Sequence, residues 1–223
     1  MNIAVLGTGM VGNTIGTKLV HGGHKVKMGS RTAANEKAAA WVTSNGANAS
    51  QGTFDEAAKF AEVVINCTSG IGAIDALTAA GKENLNGKII IDISNPLDFS
   101  KGMPPSLTIC NTDSLGELIQ RTFPEAKVVK TLNTLTCLLM VNPLLVPGDH
   151  NIFVSGNDAS AKSAVKNYLH DWFGWKGENI IDLGDITTAR GTEQLLPIWV
   201  RLYGLFQNPI FNFKIVIGPA PKM

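Results

Sequence analysis

Apolar positions along this chain follow two rhythms. Short β-branched runs at residues 3–6, 25–28, 63–67, 88–93 and 127–130 read as buried strands, and KIIIDI at 88–93 is the clearest of them. Between them lie segments with helical spacing at 13–20, 33–44, 53–60, 73–80 and 114–121. Their punctuation agrees: Thr53 is a candidate N-cap, while Asn45-Gly46, Gly81 and Pro124 mark helix ends. Strands alternating with helices predict an α/β fold, a doubly wound parallel sheet with helices on both faces and right-handed crossovers.

Beyond residue 135 the spacing changes. Residues 151–155 and 179–183 read as strands, and 159–173 as an amphipathic helix with Val165, Leu169 and Trp172 or Phe173 on its inner face. A long apolar helix is expected over 187–206, kinked or broken at Pro197. This divides the chain into a first domain, 1–135, and a small C-terminal α/β part, 136–223, which would help form a cleft for a second substrate. Leu195, Trp199, Leu202 and Phe206 would present a dimer surface, with packing on the chain's own sheet as the alternative. The closing NPIFNFKIVIGPAPKM reads as irregular and apolar.

The 223 residues, 44% hydrophobic and 17% charged, suffice for such a core. A formal net charge of +1 gives no electrostatic case for nucleic acid or an anionic membrane. The three cysteines, Cys67, Cys110 and Cys137, lie far apart and match neither a disulfide framework nor metal spacing. The first residues run straight into a glycine-rich turn with no basic segment before them, so they read as a first strand and not as a leader. The apolar runs are too short or interrupted to span a bilayer. A cytoplasmic protein without membrane or nucleic-acid partners is expected.

Chemistry enters at GTGMVG. Gly7, Gly9 and Gly12 follow the first strand and open the first helix, the context that a bare G-x-G-x-x-G lacks. Gly7 would make the turn, Gly9 admit a pyrophosphate close to the backbone, and Gly12 let helix and strand touch. The anion would sit on the helix N-terminal N–H groups. The competing reading is a structural turn without a ligand. About 20 residues beyond the motif, NAD sites carry an acid for the ribose hydroxyls. Here the segment is Gly29-Ser30-Arg31. A guanidinium can fork onto a 2′-phosphate that a carboxylate would repel. Ser30 would donate a further bond, Gly29 would leave room for the phosphate, and Lys37 would add charge from outside. NADP is favoured over NAD.

IAVLGTGMVG with MGSR, then IIIDISNPLD, VVKTLNTL, VSGND and LGDITTAR…EQLLPIWVRLYG, resembles the NADP oxidoreductases that use the deazaflavin coenzyme F-420. The oxidoreductase domains of the Steap metalloreductases are similar. The resemblance covers nearly the whole chain and implies a Rossmann domain against which a second redox partner docks. It implies that Thr8, Gly9, Met10 and Val11 line the pyrophosphate and that Ser30 and Arg31 hold the 2′-phosphate. Cys67, Thr68 and Ser69 would border the adenosine or ribose. Ser94, Asn95 and Pro96 would lie near the nicotinamide ribose, and Asn133, Thr134 and Leu135 near the ring. The basic residue that the family often carries near position 35 is displaced here to Lys37.

No acid–base pair stands out. His21 and His24 lie at the wrong end of the first helix, His170 reads as solvated, and His150 as structural. Lys130 reads as solvated or ion-paired, and Tyr168 and Tyr203 as packing residues. Hydride transfer between a nicotinamide and a flavin or deazaflavin requires positioning and no protein proton relay. The expected activity is therefore an NADP(H)-dependent oxidoreductase with a small-molecule redox acceptor of that kind, with no catalytic side chain and no metal. A non-catalytic NADP(H) sensor or scaffold, or a small imine or carbonyl reductase, remains as an alternative. A β-hydroxyacid dehydrogenase ranks lower, because only about 90 residues follow Leu135.

Overall fold

The computed structural model describes residues 1–219; the last four residues of the apolar C-terminal stretch lie outside them. The chain runs β1 (Asn2–Leu6), α1 (Met10–His21), β2 (Lys25–Ser30), α2 (Glu36–Asn45), β3 (Ala49–Thr53), α3 (Phe54–Phe60) and β4 (Val63–Asn66). It continues with α4 (Ala73–Ala80), α5 (Lys82–Leu85), β5 (Ile89–Asp92), a small hairpin of β6 (Leu97–Asp98) and β7 (Ser106–Leu107), α6 (Leu115–Thr122) and β8 (Lys127–Thr131). It ends with α7 (Cys137–Val141), β9 (Ile152–Ser155), α8 (Ala159–Phe173), β10 (Ile180–Gly184), α9 (Ala189–Gln194) and α10 (Leu196–Phe206).

Eight strands form one sheet in the order β10-β9-β8-β5-β4-β1-β2-β3. From β3 to β8 every neighbouring pair is parallel; β9 joins β8 antiparallel, and β10 follows β9 in parallel. The chain leaves β1 toward β2 and β3, then returns to β4 on the other side. The topological switch therefore falls between β1 and β4, where such sheets bind ligands at the strands' carboxyl ends. Residues beyond 135 add β9 and β10 to this same sheet.

Side-chain alternation explains the two helical layers. Along β1, Ile3 and Val5 point into a core shared with Ile15, Leu19, Trp41, Leu139 and Leu169, from α1, α2, α7 and α8. Ala4 and Leu6 point the other way, against Phe54, Ala57, Leu77 and Ile119 of α3, α4 and α6. A strand buried on both faces carries no polar alternation, hence the continuous IAVL.

The sequence-based elements are recovered, with differences. α1 begins at Met10, not 13, because the Gly9 carbonyl already accepts the Asn13 N–H at 2.9 Å. α2 starts only after Asn35, whose side chain accepts from the Ala38 N–H. β3, α5, α7 and the β6–β7 hairpin were not anticipated. The long C-terminal helix breaks at Leu195 into α9 and α10, and Pro197 falls in the first turn of α10, where a missing N–H costs nothing. Among the described residues no helix is long and apolar enough to cross a membrane.

Candidate functional site

The glycine turn joins β1 to α1 at the switch point. Gly7 has φ +113°, and a Cβ there would lie 2.8 Å from the Cys67 carbonyl oxygen. A Cβ on Gly12 would meet the Gly7 carbonyl oxygen at 2.1 Å, so the helix can approach its own turn only without a side chain. Gly9 differs: no protein atom lies within 4 Å of its Cβ position. Its missing side chain leaves open space above the first turn of α1. That turn has no side-chain cap, whereas α2, α3, α6 and α8 are capped by Asn35, Thr53, Ser114 and Asp158. Its free N–H groups suit an anion. The cradle therefore fits a dinucleotide pyrophosphate.

A cavity of about 530 Å³ opens beside this turn. Thr8, Gly9, Ser30, Arg31 and Thr68 line it, with Phe54 of α3 and Asp75 of α4, two residues that sequence reasoning did not single out. The signal for Asp75 lies only in its place, in the first turn of a helix that follows a glycine-containing loop. Arg31 is exposed, and the seven ion pairs among the described residues leave it free. Ser30 is buried and donates its hydroxyl to the Thr32 carbonyl at 2.6 Å, so its proton is already committed within the chain. Gly29 does not make room for a ligand. A Cβ there would meet Leu6, Ala57 and Phe54 at 2.8–3.3 Å, and its carbonyl accepts the Gly7 N–H. It is a packing glycine that anchors the turn. Lys37 lines a different hollow, of about 610 Å³, between α1 and α2, together with Met10, and shares only the Thr8–Gly9 edge with the Arg31 cavity.

On the other side of the turn, a more apolar cleft of about 250 Å³ lies between Val11 and the loops after β4 and β5, with Ser69, Ile71, Ser94, Asn95 and Phe99 in its walls. Those loops are locked by a buried network. Asp92 Oδ1 accepts from Asn66 Nδ2 at 2.8 Å, Ser94 Oγ at 2.6 Å and the Ser94 N–H at 3.2 Å. Asn66 in turn accepts from the Thr68 hydroxyl at 2.7 Å. Lys130 Nζ donates to Asp92 Oδ2 at 2.7 Å and to the Ser94 carbonyl at 2.6 Å, and lies 2.8 Å from Glu193 Oε1. Glu193 accepts the Leu115 and Gly116 N–H groups that open α6. Burial alone would lower Lys130, but the Asp92 and Glu193 carboxylates more than offset it, and the ammonium is held above its ordinary value. Lys130 is thus ion-paired and fully buried, not solvated.

Asn133, Thr134 and Leu135 are buried and do not line that cleft. Asn133 stands behind it: its Nδ2 donates to Asn95 Oδ1 at 2.9 Å, and its carbonyl accepts from Asn95 Nδ2 at 2.8 Å. The turn that brings it there passes through Leu132 at φ +59°, a left-handed backbone that costs a non-glycine residue about 1–3 kcal/mol and concentrates at functional sites. Pro96 is buried, and its carbonyl accepts the Thr108 N–H.

Cys67 is the titratable side chain in the cleft lining, and burial, with Asp92 adding, pushes its thiol well up, so it stays protonated. His150 is a packing residue: buried, edge-on to Trp175, with Nε2 3.0 Å from the Pro143 carbonyl and Nδ1 2.9 Å from Asn212 Nδ2. His170 Nδ1 lies 2.9 Å from the Trp175 carbonyl just past the end of α8. Tyr168 stacks on Trp172 and Tyr203 on Trp199. Among the described residues no cluster of His, Cys, Asp or Glu could hold a metal.

Residues 2–96 match the family model described as NADP oxidoreductase, coenzyme F420-dependent. The chain is 32% identical over 122 residues to an F420-dependent NADP reductase of Methanocaldococcus jannaschii, covering 54% of this chain and 53% of that protein. It is 28% identical over 202 residues to the metalloreductase STEAP3 of Rattus norvegicus, covering 88% of this chain and 37% of that protein. The chain thus spans about half the length of the first of these curated relatives and little more than a third of the second. A solved structure from Arthrobacter sp. FB24, named as a candidate F420-dependent NADP reductase, superposes with TM-score 0.91 at 53% identity over 97% of this chain and 100% of that one. The chain belongs to the coenzyme F420-dependent family of NADP oxidoreductases.

Proposed function

We propose that this protein binds NADP(H) across the switch point and transfers hydride between the nicotinamide and a flat flavin- or deazaflavin-like acceptor, coenzyme F420 foremost. The observation that carries this reading is the cleft between Val11 and Asn95. Its polar groups are hydroxyls, a carboxamide and a protonated thiol, with no group poised to give or take a proton. A carbonyl or imine substrate needs such a group, whereas ring-to-ring hydride transfer needs stacking at close range. When bound, NADPH would supply the hydride and the acceptor would take it up. The chain would hold the pyrophosphate at Thr8–Gly12, the 2′-phosphate at Arg31, and the nicotinamide end on Ser94 and Asn95. The name of the Methanocaldococcus relative supports the deazaflavin. We further propose that two copies pair through α10.

Stopped-flow oxidation of NADPH with a panel of FMN, FAD, F420 and simple imines tests the reading. Rapid oxidation by F420 or a flavin, with no titrating group in the pH–rate profile, is the expected result. Turnover of an imine with a single-group pH profile would replace it with the reductase alternative, and NADPH binding without oxidation by any acceptor would favour the sensor.

A further inference from the structure

The geometry points to Lys130 as a positioning residue for the nicotinamide end of the site, acting through Ser94; this rests on the dinucleotide reading above. Three features carry it. First, one buried ion system holds every polar atom of Ser94. Asp92 Oδ1 takes both its N–H and its hydroxyl, and Lys130 Nζ takes its carbonyl. Second, the ammonium is saturated: Asp92, the Ser94 carbonyl and Glu193 lie at 2.6–2.8 Å, so its three protons have three acceptors. A fully used buried ammonium serves geometry and has no proton to spare for chemistry. Third, Ser94 leads directly into Asn95, which lines the cleft and is itself clamped to Asn133 in the turn after β8.

The shelf facing Val11 is therefore set by strand-end groups that meet only in the folded sheet. Asn66 extends the same network to Thr68 after β4, and Glu193 ties it to the start of α6. The network meets the Arg31 cavity only at Thr68 and makes no hydrogen bond to Arg31, which follows β2 on the far side of β1. Removing the ammonium should loosen the ring's shelf while leaving the phosphate grip intact.

The test compares wild type with Lys130→Met, and with Asp92→Asn/Lys130→Met in case the single change leaves too much unpaired charge to fold. Glu193→Gln keeps Lys130 and Asp92 and removes one ionic partner. Affinities for NADPH and for 2′,5′-ADP, which lacks the nicotinamide, are read by titration, and the fluorescence lifetime of bound NADPH reports how tightly the ring is held. For variants that melt cooperatively, 2′,5′-ADP affinity should stay at the wild-type value, while the bound NADPH lifetime falls toward that of free NADPH. Turnover with the acceptor that serves wild type should drop up to about a hundredfold, the scale of a 1 Å misplacement, more in kcat than in KM. An unchanged lifetime in a folded variant would overturn the proposal, as would a parallel loss of 2′,5′-ADP binding, which marks general disorder. Wild type that binds NADPH but reduces no acceptor would sink the proposed activity while leaving the lifetime comparison decisive. Wild type that binds no NADPH would overturn both.

Discussion

Arg31 directly follows the second strand as an exposed cation outside the ion pairs of the described residues, beside an open cavity, and its charge has no structural use in the described chain. Its neighbours divide the remaining work. Gly29 is filled by Leu6, Ala57 and Phe54, and Ser30 is tied to Thr32, so the 2′-phosphate preference falls on the guanidinium. Asp75, the acid in the cavity lining, stands on α4 and not at the end of β2, where a carboxylate would take a ribose hydroxyl. We expect Arg31→Ala to weaken NADPH binding by about 1.5–3 kcal/mol, the range for a hydrogen bond to a charged group, which is roughly ten- to a hundredfold. NADH affinity should not change. Titration of both cofactors on both proteins checks this, and an equal loss for NADH would remove Arg31 from the 2′-phosphate.

At the level of elements, helix starts separate structural duty from function. α8 begins at Asp158, which accepts the Ala161 N–H at 2.7 Å and the Ser160 hydroxyl and lies 3.1 Å from Lys127 Nζ. The Ser160 hydroxyl, then the Ala161 N–H and Lys127, hold this carboxyl at about 2, below its ordinary value of 3.8. The folded pKa is depressed, so the carboxylate's contribution is complete above the ordinary value and is lost as pH falls through about 2. Asp158→Asn keeps a neutral acceptor and loses the charge. The gap in melting temperature between wild type and this variant should therefore be largest near pH 7, begin to close below pH 4, and vanish only below about pH 2; a gap that does not vary with pH would exclude the charge. The uncapped start of α1 contrasts with this, and its glycines made it the most readable part of the site. Elements with long apolar runs were equally readable. β3 was not, because ASQGT is a short edge strand only partly buried and carries no apolar alternation. The Asp92–Lys130–Glu193 network was also hidden. Its members come from β5, β8 and α9, and a lysine in a strand shows its partners only once the sheet has set its register.

At the scale of the whole molecule, α10 leaves a run of apolar side chains uncovered by the other described residues. Only Leu196 of α10 is buried, although the helix is mostly apolar. Its faces have different fates. Trp199 and Tyr203, one turn apart, stack on each other, and Trp199 is covered by Phe211 from the returning C-terminal stretch. That stretch is pinned where the Asn151 N–H meets the Phe213 carbonyl and Asn212 Nδ2 meets the Asn151 carbonyl. The other face carries Ile198, Leu202, Leu205 and Phe206 at i, i+4, i+7 and i+8; Phe206 meets Phe211 edge-on, yet Ile198, Leu205 and Phe206 stay half or more exposed. Fully burying one such side chain contributes about 1.5–3 kcal/mol, so a two-fold pairing that covers three of them on each copy has a substantial driving force before the cost of association. The stripe is self-complementary in chemistry and nearly free of charge, with Arg201 standing beside it. We expect the protein to be a dimer by light scattering at micromolar concentration, and Leu205→Glu/Phe206→Glu to be a monomer that keeps its NADPH affinity, because the cofactor cavities draw nothing from α10. A monomeric wild type, or a double variant that remains dimeric, would place the interface elsewhere and leave the exposed stripe to another partner.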